Sequence, residues 1–177
     1  MSPLPPPPQT YRYYDSSSGA PLVRFGAGRS YSTFATACDG GFAYPGADEI
    51  AVRCNITNAP GSPAGDQVLQ VYHRASADVV ARVAGAHPVP LSSLVAFDRF
   101  SLAAGATLAG ADFALRASEA LALTDATGAS ILYQGLHYLD VFDGMLNVTT
   151  IAIEVPGSGG GVAARVIKRP PPPPSGV

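Results

Sequence analysis

Between Tyr31 and Val155 the chain is written as short runs of alternating apolar and polar residues, broken by turn residues at intervals of about ten. A period of two places successive side chains on opposite faces of an extended strand, so each run can bury only one face. The clearest run is 48–57: Ile50, Val52, Cys54 and Ile56 share one face, while Ala51, Arg53, Asn55 and Thr57 share the other. Cys54 therefore points into a core and Asn55 to solvent. The same reading predicts strands at 31–38, 67–74, 94–102, 107–115, 119–124, 129–133, 136–142 and 146–155. Between them stand Gly61-Ser62-Pro63-Ala64-Gly65, Ala103-Ala104-Gly105, Asp125-Ala126-Thr127-Gly128 and Asp143-Gly144, which carry turn chemistry. No segment sustains a helical period. The expected fold class is all-β, an antiparallel sandwich of seven or more strands.

The ends obey different physics. Of 17 prolines, five lie within residues 3–8 and five within 170–174. A proline ring fixes φ and removes the amide donor that helix and sheet require, so both tracts are expected to be stiff polyproline II rods. The chain divides accordingly into a polyproline tract at 1–9, an extended aromatic arm at 10–30, the sandwich at 31–155, and a tail at 156–177. That tail holds a Gly/Ser spacer, a short β-prone run and the second proline tract. The arm is marked by Thr10-Tyr11-Arg12-Tyr13-Tyr14, a Ser/Gly turn at 16–19, and Val23-Arg24-Phe25-Gly26-Ala27-Gly28, too rich in glycine for a helix.

With charged residues at 14% and a formal net charge of -2, the chain is neither a strongly basic nucleic-acid binder nor a charge-rich disordered segment. Its uncharged stretches are interrupted well before the roughly 20 residues that a membrane helix needs. Cys38 and Cys54 lack the second cysteine pair or nearby histidine of a zinc site. Phe34 and Cys38 share a face, so a Cys38–Cys54 bridge between neighbouring strands is geometrically reasonable. Two buried free thiols are the alternative. Asn55-Ile56-Thr57 and Asn147-Val148-Thr149 match the N-glycosylation acceptor pattern, which matters only in a secreted chain. Sequons, cysteines and terminal prolines together point to an extracellular protein. Met1-Ser2-Pro3-Leu4 and the prolines after it do not form the apolar run of a signal peptide. The numbering then begins inside a larger precursor, or the protein stays inside the cell, where its proline runs would suit an adaptor that fills aromatic grooves.

Three further segments carry a family likeness. Gly65-Asp66-Gln67-Val68-Leu69-Gln70-Val71-Tyr72, then Leu94 to Gly105 with Phe97-Asp98-Arg99-Phe100-Ser101-Leu102, then Gly135-Leu136-His137-Tyr138-Leu139-Asp140-Val141 resemble the fibronectin type III-like domain that closes many family 3 glycoside hydrolases. Upstream, 10–14 and 25–34 resemble the segment joining that domain to the catalytic part. The resemblance spans 10–155 and implies a fibronectin type III/immunoglobulin-like sandwich. It departs from the family at His73, an apolar position there, at Ala27, a common aromatic, and after Val155, where the family domain finishes. It also implies that the barrel aspartate and the acid/base carboxylate of those enzymes lie outside this chain.

The residues themselves agree that chemistry is not the expectation. Retaining glycosidases need two carboxylates about 5 Å apart, whereas Asp66 and Asp143 sit beside glycine and Asp125 opens Asp125-Ala126-Thr127-Gly128, as turn residues do. His73, His87 and His137 fall on separate strands or loops with no ligand or triad spacing. No catalytic, cofactor or metal site is expected. Tyr11, Tyr13, Tyr14 and Tyr31 could form a sugar-stacking platform. The resemblance instead implies an arm that packs on a neighbouring domain and, without it, exposes an apolar surface needing a partner.

Two function classes follow. The first is a non-catalytic structural extracellular glycoprotein that assembles with copies of itself. Its subunit contacts would involve Tyr11, Tyr13, Tyr14, Phe25, Val162, Val166 and Ile167, with 162–167 adding to a sheet edge of another copy. Its connectors would be hydroxylated and O-glycosylated at Pro5, Pro6, Pro7, Pro8, Pro170, Pro171, Pro172, Pro173 and Pro174. The second is an accessory, polysaccharide-engaging module or fragment of a family 3 glycoside hydrolase.

Overall fold

The alternating run at Glu49–Asn58 (β2) is the centre of one sheet, and its inward residues Ile50, Val52, Cys54 and Ile56 are all buried. In the computed structural model, residues 10–15, 19–43, 48–83, 86–157 and 164–168 are described. Strand β2 pairs antiparallel with Phe34–Ala43 (β1) on one side and Thr107–Arg116 (β5) on the other, giving the order β1-β2-β5. Facing it is a four-stranded antiparallel sheet of Ser93–Leu102 (β4), Gly65–Ala75 (β3), Gly135–Phe142 (β8) and Asn147–Val155 (β9), in the order β4-β3-β8-β9. Leu69 and Val71, Leu139 and Val141, and Ile151, Ile153 and Val155 meet the β2 residues between the sheets, with Ala111 and Phe113 from β5. The all-β sandwich is therefore the observed fold, and Cys38 and Cys54 lie directly opposite one another in the β1–β2 register and are joined by a disulfide.

Two helices correct the expectation of none. Ala77–Val83 (α1) follows Ser76, whose Oγ accepts a hydrogen bond from the Val79 amide at 3.3 Å, as an N-cap does. Val79 and Val83, one turn apart, are its buried side. Seven residues are too few for a periodic signal to stand out from a loop. Ala117–Ala120 (α2) occupies part of the expected strand 119–124, because Asp48 accepts from the amide and hydroxyl of Ser118 and turns the chain there. What remains extended is Leu123–Thr124 (β6), in a small antiparallel sheet with Ser130–Tyr133 (β7) and Ala164–Lys168 (β10), ordered β10-β7-β6. The expected strand at 31–38 begins at Phe34 and runs on to Ala43. Asp66, read as a turn residue, is in β3 and meets Arg99 at 3.4 Å and the Ser101 hydroxyl at 2.6 Å. Asp125 and Asp143 do hold turns, accepting from the amides of Thr127 and Ala129 and of Met145 and Leu146.

Strand β10 bears on the expected subunit contact at Val166 and Ile167. The backbone of this run pairs within the chain, Val166 opposite Ile131 and Arg165 opposite Leu132, so its strand partner is its own β7. Val162 and both proline tracts lie outside the described residues.

Candidate functional site

Strict alternation fails at Tyr72, and the reason is the arm. Residues 71 to 73 are all buried, because Tyr72, on the outer face of β3, is covered by Tyr11 and Gly26 of the arm. Tyr11 lies flat on Phe25, ring centroids 3.9 Å apart, and presents its edge to Tyr72 at 6.2 Å; Tyr72 in turn meets Phe142 edge-on at 5.5 Å. Polar bonds fix the path. The Leu94 amide donates to Tyr11 Oη, the Leu91 amide to the Arg12 carbonyl, Gln70 Nε2 to the Gly26 carbonyl, and the Tyr14 hydroxyl to the Gly19 carbonyl. Burial and Tyr11 push the Tyr72 phenol above its ordinary pKa. Gly26 has φ +78°, and a Cβ there would collide with Gln70 Oε1 and lie 2.6 Å from Tyr72 Oη. The arm is thus not a free extended segment. Tyr11, Arg12 and Gly26 dock on the sandwich, while Leu22, Val23 and Phe25 remain exposed, as do Met145 and Leu146 on the adjoining turn.

Under the arm lies a groove of about 230 Å³ lined by Tyr11, Tyr14, Phe25, Tyr72, Arg24 and Gln70 among others. Aromatic faces beside a guanidinium and an amide suit a ligand with an apolar face and hydroxyl edges. Of the stacking residues expected from the sequence, Tyr11 and Tyr14 line this groove; Tyr13 borders a different cleft, and Tyr31 is wholly exposed and lines neither.

The second cleft, about 610 Å³, opens where the ends of β4 and β5 approach α2 and β6, and Arg12, His73, Ser93, Glu119, Thr124 and Ser130 border it. Arg12 donates from Nε and Nη2 to Ser93 Oγ at 3.2 and 3.0 Å. The three histidines lie on separate strands and a loop, as expected from the sequence, but two of them meet. His73 and His137, 64 residues apart in sequence, are buried together, with His73 Nε2 and His137 Nδ1 2.9 Å apart. Only the pairing of β3 with β8 creates this contact, so nothing in the local spacing could reveal it. Desolvation, helped by His137 and Arg74, drives His73 down to about 3, and burial also lowers His137. A histidine held neutral so far below neutrality is a poor general base, and Glu119 is the single carboxylate among the described residues bordering the cleft. His87 stands apart, with its Nε2 3.1 Å from the Tyr133 hydroxyl. Among the described residues no group of three His, Cys, Asp or Glu could hold a metal, and no helix is long and apolar enough to cross a membrane.

The two sequons differ. Asn55 and Asn147 are both exposed, Asn55 by the pleat of β2 and Asn147 at the start of β9 beyond a register shift opposite Val141 and Phe142. Asn55 accepts at Oδ1 from the Gly110 amide, which turns Nδ2, the atom that would carry a glycan, away from that bond. Asn147 instead spends Nδ2 on Thr150 Oγ1 at 3.0 Å, and Thr150 donates onward to Asp140.

The sequence matches no family model and no curated protein. Among solved structures it is similar to the β-glucosidase of Kluyveromyces marxianus in complex with glucose, at 21% identity and a TM-score of 0.71 over 90% of this chain and 17% of that one. It is similar to β-glucosidase 3B of Thermotoga neapolitana, at 25% identity and a TM-score of 0.67 over 89% of this chain and 20% of that one. The β-glucosidase of Listeria innocua in complex with isofagomine matches at 28% identity and a TM-score of 0.63, over 77% of this chain and 18% of that one. The chain therefore has the fold of one portion of these β-glucosidases and spans about a fifth of their length or less.

Proposed function

We propose that this chain is a non-catalytic accessory module of the family 3 glycoside hydrolase type, a fibronectin type III-like sandwich that engages polysaccharide through the groove under its arm. The observation that carries the reading is the match of 77% to 90% of this chain to only 17% to 20% of several β-glucosidases. The three-plus-four strand order, β1-β2-β5 against β4-β3-β8-β9, supports the type of sandwich. The groove supplies the ring faces and polar edges that a sugar chain needs. The test has two parts. The purified chain is expected to leave an aryl β-glucoside unhydrolysed, and to be retarded in gels containing a soluble β-glucan. Phe25→Ala and the arm-displacing Gly26→Ala are expected to weaken that retardation about five- to tenfold, the loss of one good aromatic contact. Release of sugar by the pure chain would overturn the non-catalytic reading, and undiminished retardation of both variants would overturn the groove.

A second reading is favoured by the exposed Asn55 with Nδ2 turned from its hydrogen bond, and by the disulfide. It is a structural extracellular glycoprotein with glycosylated connectors. Intact mass before and after deglycosylation and reduction tests it, since an unchanged mass on deglycosylation removes its basis.

A further inference from the structure

We propose that the 610 Å³ cleft is a second ligand site, separate from the arm groove, that takes a neutral, hydroxyl-rich molecule such as a sugar residue by accepting a hydroxyl hydrogen at His73 Nδ1. The proton positions follow from the bonds. The Tyr133 carbonyl can only accept, so His137 Nε2, 2.9 Å from it, carries hydrogen. A neutral His137 then has a bare Nδ1, which accepts from His73 Nε2. His73 is thereby left with hydrogen on Nε2 and a lone pair on Nδ1. No hydrogen bond to that nitrogen exists among the described residues, although His73 is 3% exposed and borders the cleft. A ligand hydroxyl entering the cleft would supply that nitrogen with a donor.

The surroundings select the ligand. Beside His73 stands Ser93, its cross-strand partner, with Oγ already receiving two donors from Arg12. Arg12 keeps further N–H groups, Glu119 offers an acceptor, and Thr124 and Ser130 offer hydroxyls. Donors and acceptors on all sides fit a polyol, each of whose hydroxyls both gives and takes a hydrogen bond. Arg12 and Arg116 would attract an anion, but Glu119 and the His73 lone pair on the same lining would face it. A metal would find one imidazole nitrogen and one exposed carboxylate, short of the three protein ligands it needs. The volume lies within the roughly 300–1,000 Å³ of small-molecule pockets. His73 is faced by His137 from β8, with Arg74 beside it on its own strand and Arg12, Arg116 and Glu119 lining the same cleft. Burial, helped by His137 and Arg74, keeps it neutral, so the acceptor persists wherever the fold does.

The experiment titrates glucose and laminaribiose into the full chain labelled with ¹⁵N and follows backbone amides and the imidazole nitrogens. Saturable shifts are expected at His73, Ser93 and Glu119, with the His73 Nδ1 resonance moving toward the hydrogen-bonded position and affinity flat from about pH 5.5 to 8. His73→Leu is expected to weaken binding about tenfold, and Glu119→Ala, on the exposed rim, about threefold. Should His73→Leu fail to fold, Glu119→Ala and the Nδ1 resonance of the unaltered chain decide. Shifts confined to Tyr11, Phe25 and Tyr72 would overturn this site while leaving the arm groove standing. No shift anywhere, or equal binding by the variants, would overturn it as well.

Discussion

Acidification from pH 7 to pH 4 is expected to remove about 3 kcal/mol of folding stability through His73 alone. The residue titrates near 6.5 when unfolded and at about 3 in the sandwich. Its folded value is depressed, so the unfolded chain binds the extra proton. The stabilisation is complete above pH 6.5 and is lost as the pH falls toward 3. His137, lowered in the same direction by burial, adds to the loss. Urea unfolding at several pH values reads this directly as a falling midpoint. In His73→Leu the acid limb is expected to shrink to what His137 and the carboxylates leave, and an unchanged limb in that variant would sink the assignment. A protonated pair cannot be relieved by moving apart, because β3 and β8 are hydrogen-bonded from Gln70 to Ala75 and their inner neighbours Leu69, Val71, Leu139 and Val141 are fully buried.

Removing the Cys38–Cys54 disulfide, by reduction or as the Cys38→Ser and Cys54→Ser pair, is expected to cost about 3 kcal/mol, from the chain entropy of a loop with sequence separation 16. For a chain of this size that is a fall in Tm of roughly 6–12 °C. Differential scanning calorimetry with and without reductant checks it, and a shift under 2 °C would contradict it. The two residues are not equivalent. Cys54 is fully buried among Ile50, Val52 and Ile56, whereas Cys38 is half-buried on β1, an edge strand of its sheet. Cys54→Ser alone therefore places a hydroxyl in the apolar layer as well as breaking the bond, and is expected to be the worse of the two single variants.

Particular residues show where reading the chain succeeded. The face assignment at 48–57 needed only the pleat, and it placed Ile50, Val52, Cys54 and Ile56 inside and Asn55 outside as observed. Strands 67–74, 94–102, 107–115, 136–142 and 146–155 were legible to within two residues of each end for the same reason. Helix α1 was not, since its identity rests on one cap and two valines, and the strand expected at 119–124 lost its first part to the turn that Asp48 holds. Of the two candidate sites, only Tyr11 and Tyr14 of the groove were legible in the sequence as stacking residues. The groove depends on an arm folding back across Gln70 and Tyr72, and the cleft depends on a histidine pair made by strands distant in sequence.

Alternation of apolar and polar residues is a local property, so the chain alone determined that it builds a sandwich, which faces of its strands are wet, and that Cys38 and Cys54 can meet. Contacts between groups far apart along the chain depend on which strands pair and in what register. The docked arm, the pairing of β10 with β7 and the buried His73–His137 contact were therefore decided only when the two sheets and the small third sheet assembled.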